Sequence, residues 1–236
     1  MIGELDQQMV GRLVAERPSR SRVFERWGID YCCAGKKRLA ESCAALSIDL
    51  DAVCTDLEQE AAEPAPDQTD WNAAPLSALV DHIVSTHHAY LREALPRLSF
   101  LTTKVRDAHG QRHPELEQVA SIFAEFREDM ETHATKEEQV LFPYITALEK
   151  SAELPSFPCG SIHRAIQIME SEHEEAGDAL AELNRLTKGY AIPSGACATY
   201  RAMLDALNEL EVDTHKHVHK ENSILFPRAE AFELTR

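Results

Sequence analysis

The phrase HATKEEQVLFP at residues 133–143 returns near the end of the chain as HVHKENSILFP at residues 217–227. Both copies place a His and a Glu four residues apart, one above the other on a helical face and about 6 Å apart along its axis. A buried imidazole beside a buried carboxylate is costly unless something satisfies both groups. Because two helices repeat that cost, we expect a shared occupant, and a pair of metal ions is the simplest one. The Pro of each copy indicates a kink or an approaching helix end.

The composition favours a helical protein that does not bind nucleic acid. The 236 residues are 44% hydrophobic, with nine Gly and 6% aromatic residues. The formal net charge is −16 and there is no basic run, so nucleic acid and anionic membranes are not expected as partners. No apolar stretch reaches the length of a membrane span, and the first residues lack the basic flank and apolar block of a signal peptide. We therefore expect a cytoplasmic protein whose six Cys are free thiols.

Apolar spacing divides the chain into a small helical domain and a helical bundle. Residues 1–59 contain short helical patterns that stop at Arg17-Pro18 and at Gly28. Residues 60–74 have the Pro, Ala and acidic composition of a linker. Residues 75–236 carry four long amphipathic patterns separated by short breaks. These patterns predict an all-α fold, an antiparallel four-helix bundle preceded by a small helical N-terminal domain.

Polar groups interrupt the apolar stripes of the bundle helices at five positions: His133, Glu137, His173, His217 and Glu221. A single core His is most simply explained by a hydrogen bond to a neighbouring acid. Five such groups on three helices favour a metal site over a metal-free structural bundle. The first bundle helix must supply another ligand, and it offers His82, His87 and His88. His82 points away from the stripe, whereas periodicity alone leaves His87 and His88 both open.

The type of ligand narrows the choice of metal. Imidazole and carboxylate without thiolate favour a borderline divalent ion over a zinc site built on Cys. Two Glu that can each bridge suit a pair of ions about 3.5–4 Å apart. Iron is the first choice and manganese its main competitor.

Five segments carry a resemblance to a known family: IDYCCAGK at 29–36, DHIVSTHHAYLR at 81–92, HATKEE at 133–138, EHEEAG at 172–177 and the second phrase at 217–227. They resemble the hemerythrin family, and within it the di-iron RIC (repair of iron centres) proteins of the YtfE/ScdA type. The resemblance implies a hemerythrin-like bundle that binds two non-heme iron ions, bridged by oxo or hydroxo when oxidised. It also implies a ligand set in which Glu137 and Glu221 bridge: His88, His133, Glu137, His173, His217 and Glu221.

The resemblance implies a function in the repair of iron–sulfur clusters damaged by nitrosative or oxidative stress. The means would be iron donation, or reduction of NO to N2O by a di-iron oxidoreductase. Four residues from His173 stand Met169 and Gly177, neither a usual ligand, so one iron would keep an open coordination position. Expected partners are damaged iron–sulfur proteins, NO or O2, and an unidentified electron donor, and a homodimer is allowed. The alternative is a non-catalytic module that binds or senses O2, NO or iron.

The adjacent Cys32 and Cys33 form the second candidate site. A disulfide between neighbours is strained, so we expect two thiols that transfer NO, iron or electrons. Lys36 and Lys37 are expected to lower their pKa. The family has Gly where this chain has Ala34, a change that is tolerated unless the position needs a positive φ. The remaining thiols are interpreted as isolated structural residues: Cys43, Cys54, Cys159 and Cys197.

Overall fold

The computed structural model describes residues 5–62, 69–151 and 161–235. Within these ranges every regular element is helical, and the one β-type contact is an isolated bridge between Met9 and Arg38. The predicted all-α class is confirmed. None of the helices in the described ranges has the length and hydropathy needed to cross a bilayer.

The chain divides into two compact units. The terminal unit combines Met1–Leu79 with Lys216–Arg236, and the central unit is Val80–His215.

Four short helices make up the first part of the terminal unit: α1 (Val10–Glu16), α2 (Ser21–Trp27), α3 (Leu39–Leu46) and α4 (Leu50–Ala62). Gly28 ends α2 with a φ of 65°, a left-handed conformation that glycine adopts without steric cost. Helix α4 continues past residue 59, where the small domain was predicted to end, and residues 63–68 of the predicted linker lie outside the described ranges.

The core of the terminal unit joins these helices to a residue from the far end of the chain. Val10, Leu13, Phe24 and Leu57 are buried in it, and Val218 belongs to the same cluster. The second copy of the repeated phrase therefore packs within the terminal unit.

The helices that follow differ in length: α5 (Leu76–Ile83), α6 (Ala89–His109), α7 (Glu115–Lys136), α8 (Phe142–Lys150), α9 (Ile162–Leu186), α10 (Ala198–Lys220) and α11 (Phe226–Leu234). Their bounds agree with the apolar patterns, and α6 continues through Pro96. The sequence predicts a connection at residues 151–160, of which 152–160 lie outside the described ranges.

Within the central unit, α7 packs against both α6 and α9. The core between the helices is almost entirely apolar, with Leu98, Phe123, Leu183 and Leu207 each at most 1% exposed. Burial of such a stripe stabilises each helix far more than intrinsic propensity does. Buried His and Glu side chains enter this interior near one end of the stripes, and there they form the candidate site.

Candidate metal centre

Three π-helical turns interrupt the long helices of the described chain: Val84–His88, Glu137–Leu141 and Glu221–Leu225. The first ends at His88, and the other two begin at Glu137 and Glu221, so each touches a predicted ligand. In the second turn the amide of Phe142 donates to the carbonyl of Glu137, five residues back. Such turns are rare and occur often at functional sites. The helical spacing of the sequence did not predict them.

The π turns explain the Leu-Phe-Pro that closes both copies of the phrase. In a π turn, residues four and five positions after Glu137 lie on the same side of the helix as Glu137. These residues are Leu141 and Phe142, and both are buried. Pro143 then stands in the first turn of α8, where a missing amide costs little. Of the two meanings considered for this Pro, an approaching helix end is wrong, because α8 continues to Lys150.

Four predicted ligands meet inside the central unit. Oε2 of Glu137 lies 3.3 Å from Nε2 of His88 and 3.4 Å from Nε2 of His133. Nε2 of His173 is 3.0 Å from Nε2 of His133. All four side chains are at most 2% exposed. Imidazoles from three helical segments therefore surround one buried carboxylate.

The structure shows which of the two histidines that periodicity could not distinguish faces the site. His87 and His88 are both buried, because the π turn at Val84–His88 changes the helical register. His88 faces Glu137, whereas Nδ1 of His87 lies 2.9 Å from Asp213. His82 is half-buried, and its ring makes an edge contact with that of His87.

Two further acids, Glu138 and Glu172, contact the outer nitrogens of the site. Nδ1 of His88 lies 2.8 Å from Glu138, which also accepts from Arg92 at 2.8 Å. Nδ1 of His133 lies 2.9 Å from Glu172, which is also paired with Lys136. Sequence reasoning missed both acids. Their position next to a ligand, directly after Glu137 and directly before His173, was the available signal.

Both outer acids are held in the anionic form. The hydrogen bond with His133 lowers the pKa of Glu172 to about 2, against the opposing effect of burial. Burial alone would raise the pKa of Glu138, but hydrogen bonds with His88 and Arg92 outweigh it and lower that pKa. Each acid therefore favours a proton on Nδ1 of its imidazole.

This arrangement fits a metal cation. With Nδ1 of His88 and of His133 donating outward, each Nε2 presents a lone pair. Both lone pairs face Oε2 of Glu137, which is also an acceptor. Acceptors that face each other repel unless a cation lies between them, and an imidazole backed by a carboxylate is the usual form of a metal-binding histidine. The buried His and Glu groups therefore make a metal-binding site.

The second copy places His217 and Glu221 together in the terminal unit. Nε2 of His217 is 2.9 Å from Oε1 of Glu221, and both side chains are fully buried. His219 is 5% exposed, and the centroid of its ring lies 5.4 Å from that of Tyr31. Burial lowers the pKa of His219 to about 4.

Cys32 and Cys33 form no disulfide and lie in a turn of the terminal unit, with 3.6 Å between their sulfur atoms. The expected lowering of the thiol pKa by Lys36 and Lys37 is wrong for Cys32. The hydrogen bond with Cys33 and then burial raise the Cys32 pKa, while both lysines are exposed. Ala34 has no positive φ, so its methyl group causes no backbone strain in this turn.

One of the thiols that were interpreted as structural has a distinct environment. Cys43 and Cys54 are buried as expected, and Cys159 lies outside the described ranges. Cys197 is exposed, with its sulfur 3.2 Å from Nε2 of His109. Hydrogen bonds from the amide of Tyr200, then from His109, lower the Cys197 pKa to about 7.

Comparisons with known proteins match both parts of the chain. The hemerythrin HHE cation binding domain matches residues 79–229. The ScdA_N domain of unknown function (DUF542) matches residues 6–61. The first match spans most of the bundle, and the second spans the short helices that carry the two adjacent thiols.

Several curated proteins are similar over almost the whole length. The iron–sulfur cluster repair protein YtfE of Salmonella typhimurium is 36% identical over 227 residues, which are 96% of this chain and 98% of that protein. The protein of the same name from Escherichia coli O81 is 36% identical over 226 residues, with the same coverage. The one from Escherichia fergusonii is 35% identical over 226 residues.

Proposed function

The chain belongs to the hemerythrin-type family of iron–sulfur cluster repair proteins represented by YtfE, and we propose that it restores iron–sulfur clusters damaged by nitrosative or oxidative stress. The observation that carries this proposal is the buried Glu137 carboxylate with His88 and His133 facing one of its oxygens. The names of the similar proteins supply the link from metal site to repair.

We propose that the site holds two iron ions with six ligands: His88, His133, Glu137, His173, His217 and Glu221. The meeting of the first four within the central unit supports this set. For the other two, the support is the repeated phrase and the complete burial of both side chains. Glu137 and Glu221, which open the two equivalent π turns, are the bridging carboxylates of this proposal.

Bound iron would supply a redox-active centre that can hold NO or O2 and can be given up to a damaged cluster. The protein side chains would control access to it and its binding strength. Glu138 and Glu172 keep the Nε2 lone pairs of His88 and His133 directed inward. The Glu137 carboxyl group is fully buried, where little water screens its attraction for a bound cation.

A groove in the central unit supports access of a small molecule to this site. It has a volume of about 250 Å³ and reaches His133 and Glu172 between α7 and α9. Phe126, Met130 and Ala176 line its apolar part. Charged side chains line the rest of the groove, among them Lys136 and Glu172 next to His133, so we propose that a small uncharged molecule such as NO or O2 enters along the apolar part.

We infer that the protein works in the cytoplasm, where damaged iron–sulfur proteins are its partners. Reduction of NO to N2O consumes electrons, so that activity would need an external electron donor. Iron donation needs none. Cys32 and Cys33 would serve the transfer of NO, iron or electrons in either case.

Transfer of labelled iron tests the proposal. The full-length protein is loaded with 57Fe and mixed, without oxygen, with a [4Fe–4S] protein that has been damaged by NO. We expect the Mössbauer spectrum of the recovered client to show 57Fe in its cluster, at a rate at least tenfold above that with the same concentration of free 57Fe2+. An equal rate with free iron would refute donation by the protein.

The same preparation separates donation from NO reduction. The reduced protein receives NO and an electron donor, and N2O is measured by gas chromatography. Repeated turnover would establish NO reductase activity. A stable nitrosyl complex without N2O, combined with no iron transfer to the client, would establish the non-catalytic binding module instead.

A further inference from the structure

The turn that begins at Asp30 in the terminal unit brings three metal-ligating groups together, apart from the site described above. The Sγ atoms of Cys32 and Cys33 are 3.6 Å apart, and Oδ1 of Asp30 lies 3.2 Å from Sγ of Cys32. One ligand atom of each residue lies within 4.8 Å of both others. Asp30 is exposed and Cys33 is half-buried, so solvent reaches the cluster from one side.

The separation of the two sulfur atoms fits a shared metal ion. Two thiolates bound tetrahedrally at about 2.3 Å from a zinc ion are about 3.8 Å apart. The 3.6 Å observed is close to that value and far longer than the roughly 2.05 Å of a disulfide. Both sulfur atoms therefore already lie near the positions that a chelated cation requires.

Backbone hydrogen bonds hold the turn in this form. Oδ1 of Asp30 accepts from the amides of Cys32 and Cys33, each at 2.9 Å, and Oδ2 accepts from Ala34 at 3.0 Å. A capped turn of this kind explains Asp30 by itself. It does not require two thiols side by side, and it reduces the ordering cost when a ligand binds to them.

The turn is also fixed to the first helix and to the second copy of the phrase. The amide of Gly11 donates to the carbonyl of Gly35 at 3.0 Å, and Nδ2 of Asn222 donates to the carbonyl of Cys32 at 3.2 Å. Asn222 is the residue directly after Glu221. The thiol turn is therefore attached to the π turn that carries a proposed iron ligand.

We propose that Cys32, Cys33 and Asp30 form a second metal site, which binds one borderline divalent cation such as Fe2+ or Zn2+. Two metal–sulfur bonds form, the two thiol protons pass to solvent, and no electron is transferred. Three protein ligands leave a coordination position open, as in sites that exchange ligands, whereas structural zinc sites have four. The further role as a transfer position for iron moving to or from the Glu221 pair rests on the proposed function.

Cobalt binding tests the site. Co2+ is added without oxygen to full-length protein whose hemerythrin-type site is already filled with iron. We expect one equivalent to produce a thiolate-to-cobalt charge-transfer band. The band should weaken at least tenfold in Cys33→Ala, the more exposed of the two thiols, while Cys197→Ala keeps it. Asp30→Asn, which retains an acceptor for the turn, should bind cobalt several-fold more weakly.

A wild-type protein that shows no such band, or a Cys33→Ala variant that keeps it in full, would overturn the site. Thermal melting followed by circular dichroism establishes that each variant is folded before its titration. If Cys33→Ala does not fold, alkylation of Cys33 in the folded Cys197→Ala variant replaces it, and the same loss of the band is expected.

The transfer role has its own measurement. In the 57Fe experiment, Cys33→Ala should donate iron to the client at least fivefold more slowly than wild type, with its own iron content unchanged. An unchanged rate would overturn the transfer role and leave cobalt binding standing. Loss of donation by the wild-type protein itself would instead contradict the proposed function.

Discussion

In the first copy of the repeated phrase, Glu138 follows the proposed ligand Glu137 and lies 2.8 Å from Nδ1 of His88. In the second copy, Asn222 follows Glu221 and donates to the carbonyl of Cys32 at 3.2 Å. The His, Lys and Glu of the two copies are the same, and both Glu open a π turn. The residue after the Glu therefore makes a different contact in each copy. Glu138 contacts an imidazole of the central unit, and Asn222 contacts the thiol turn of the terminal unit.

The difference teaches how one metal-binding phrase can serve two purposes. A carboxylate after Glu137 strengthens a neighbouring histidine as a metal ligand, because it fixes the proton on Nδ1. A neutral amide after Glu221 anchors a turn without adding charge beside the pair. Substitutions in the two copies and in the thiols should reveal this difference, with effects that range from large to small.

Removal of the ligand carboxylates should have the largest effect, and an equal one in both copies. Glu137→Ala should lower the iron content of the purified protein at least tenfold, because the carboxylate that His88 and His133 share is lost. Glu221→Ala should cause a loss of similar size. Iron per chain is measured by mass spectrometry. Glu131→Ala, at an exposed position of the same helix as His133, is the matched control. A normal iron content in either ligand variant would break the equivalence of the copies.

Substitution of the residues next to the proposed ligands should change metal affinity in the first copy more than in the second. Glu138→Gln and Glu172→Gln should each weaken metal binding roughly 10- to 100-fold, the usual effect of losing an acid behind a metal-bound histidine. Asn222→Ala should change it less than about threefold, since Asn222 contacts a backbone carbonyl. Competition with a chelator of known affinity measures all three. Similar losses in all of them would show that the copies do not differ as described.

Gly11 of α1 lies close to Gly35 of the thiol turn and to Ser223 of the second copy, and this contact should be sensitive to one added methyl group. A Cβ at Gly11 would lie 2.5 Å from Oγ of Ser223 and 3.1 Å from Cα of Gly35. Gly11→Ala should therefore lower the free energy of unfolding by about 1–3 kcal/mol. Urea titration measures it, and Gly11→Ala combined with Ser223→Ala should recover part of the loss. Full stability of the single variant would show that the contact is not close.

The smallest effect concerns the thiols. The Cys197 pKa is about 7, so its alkylation by iodoacetamide should rise with pH through a midpoint near that value, as the reactive thiolate forms. Burial and Cys33 raise the Cys32 pKa, so Cys32 should react only above this range. His109→Ala should move the Cys197 midpoint upward but leave it below that of an ordinary Cys, because the hydrogen bond from the amide of Tyr200, which has the larger effect, remains. Peptide mass spectrometry follows the alkylation of each thiol. Equal midpoints for Cys197 and Cys32 would contradict the predicted difference between their pKa values.

Apolar periodicity was sufficient to predict the helices and the polar positions inside their stripes. Burial requires a regular spacing, and the spacing is visible in the sequence. The same reasoning placed His133, Glu137 and His173 together. It could not choose between His87 and His88, because the π turn before Ala89 changes the register that periodicity assumes.

What the sequence did not show depends on contacts between distant residues. The hydrogen bonds of Glu172 with His133, and of Asp213 with His87, join positions far apart in the chain. The raised pKa of Cys32 depends on burial and on Cys33, which outweigh two nearby but exposed lysines. The lowered pKa of Cys197 is due first to the nearby amide of Tyr200 and then to His109, which lies far away in the chain, at the end of α6.

Each π turn holds one residue more than an α-helical turn would need. The five residues of Glu137–Leu141 therefore cover about the same rotation as four residues of an α-helix, and the extra residue is absorbed within the turn. If the same five residues were wound as an ordinary α-helix, the buried face of α8, with Tyr144, Ile145 and Leu148, would turn by about 100° away from its neighbours. The π turn thus lets the chain hold one more residue after Glu137 while α8 keeps its packing.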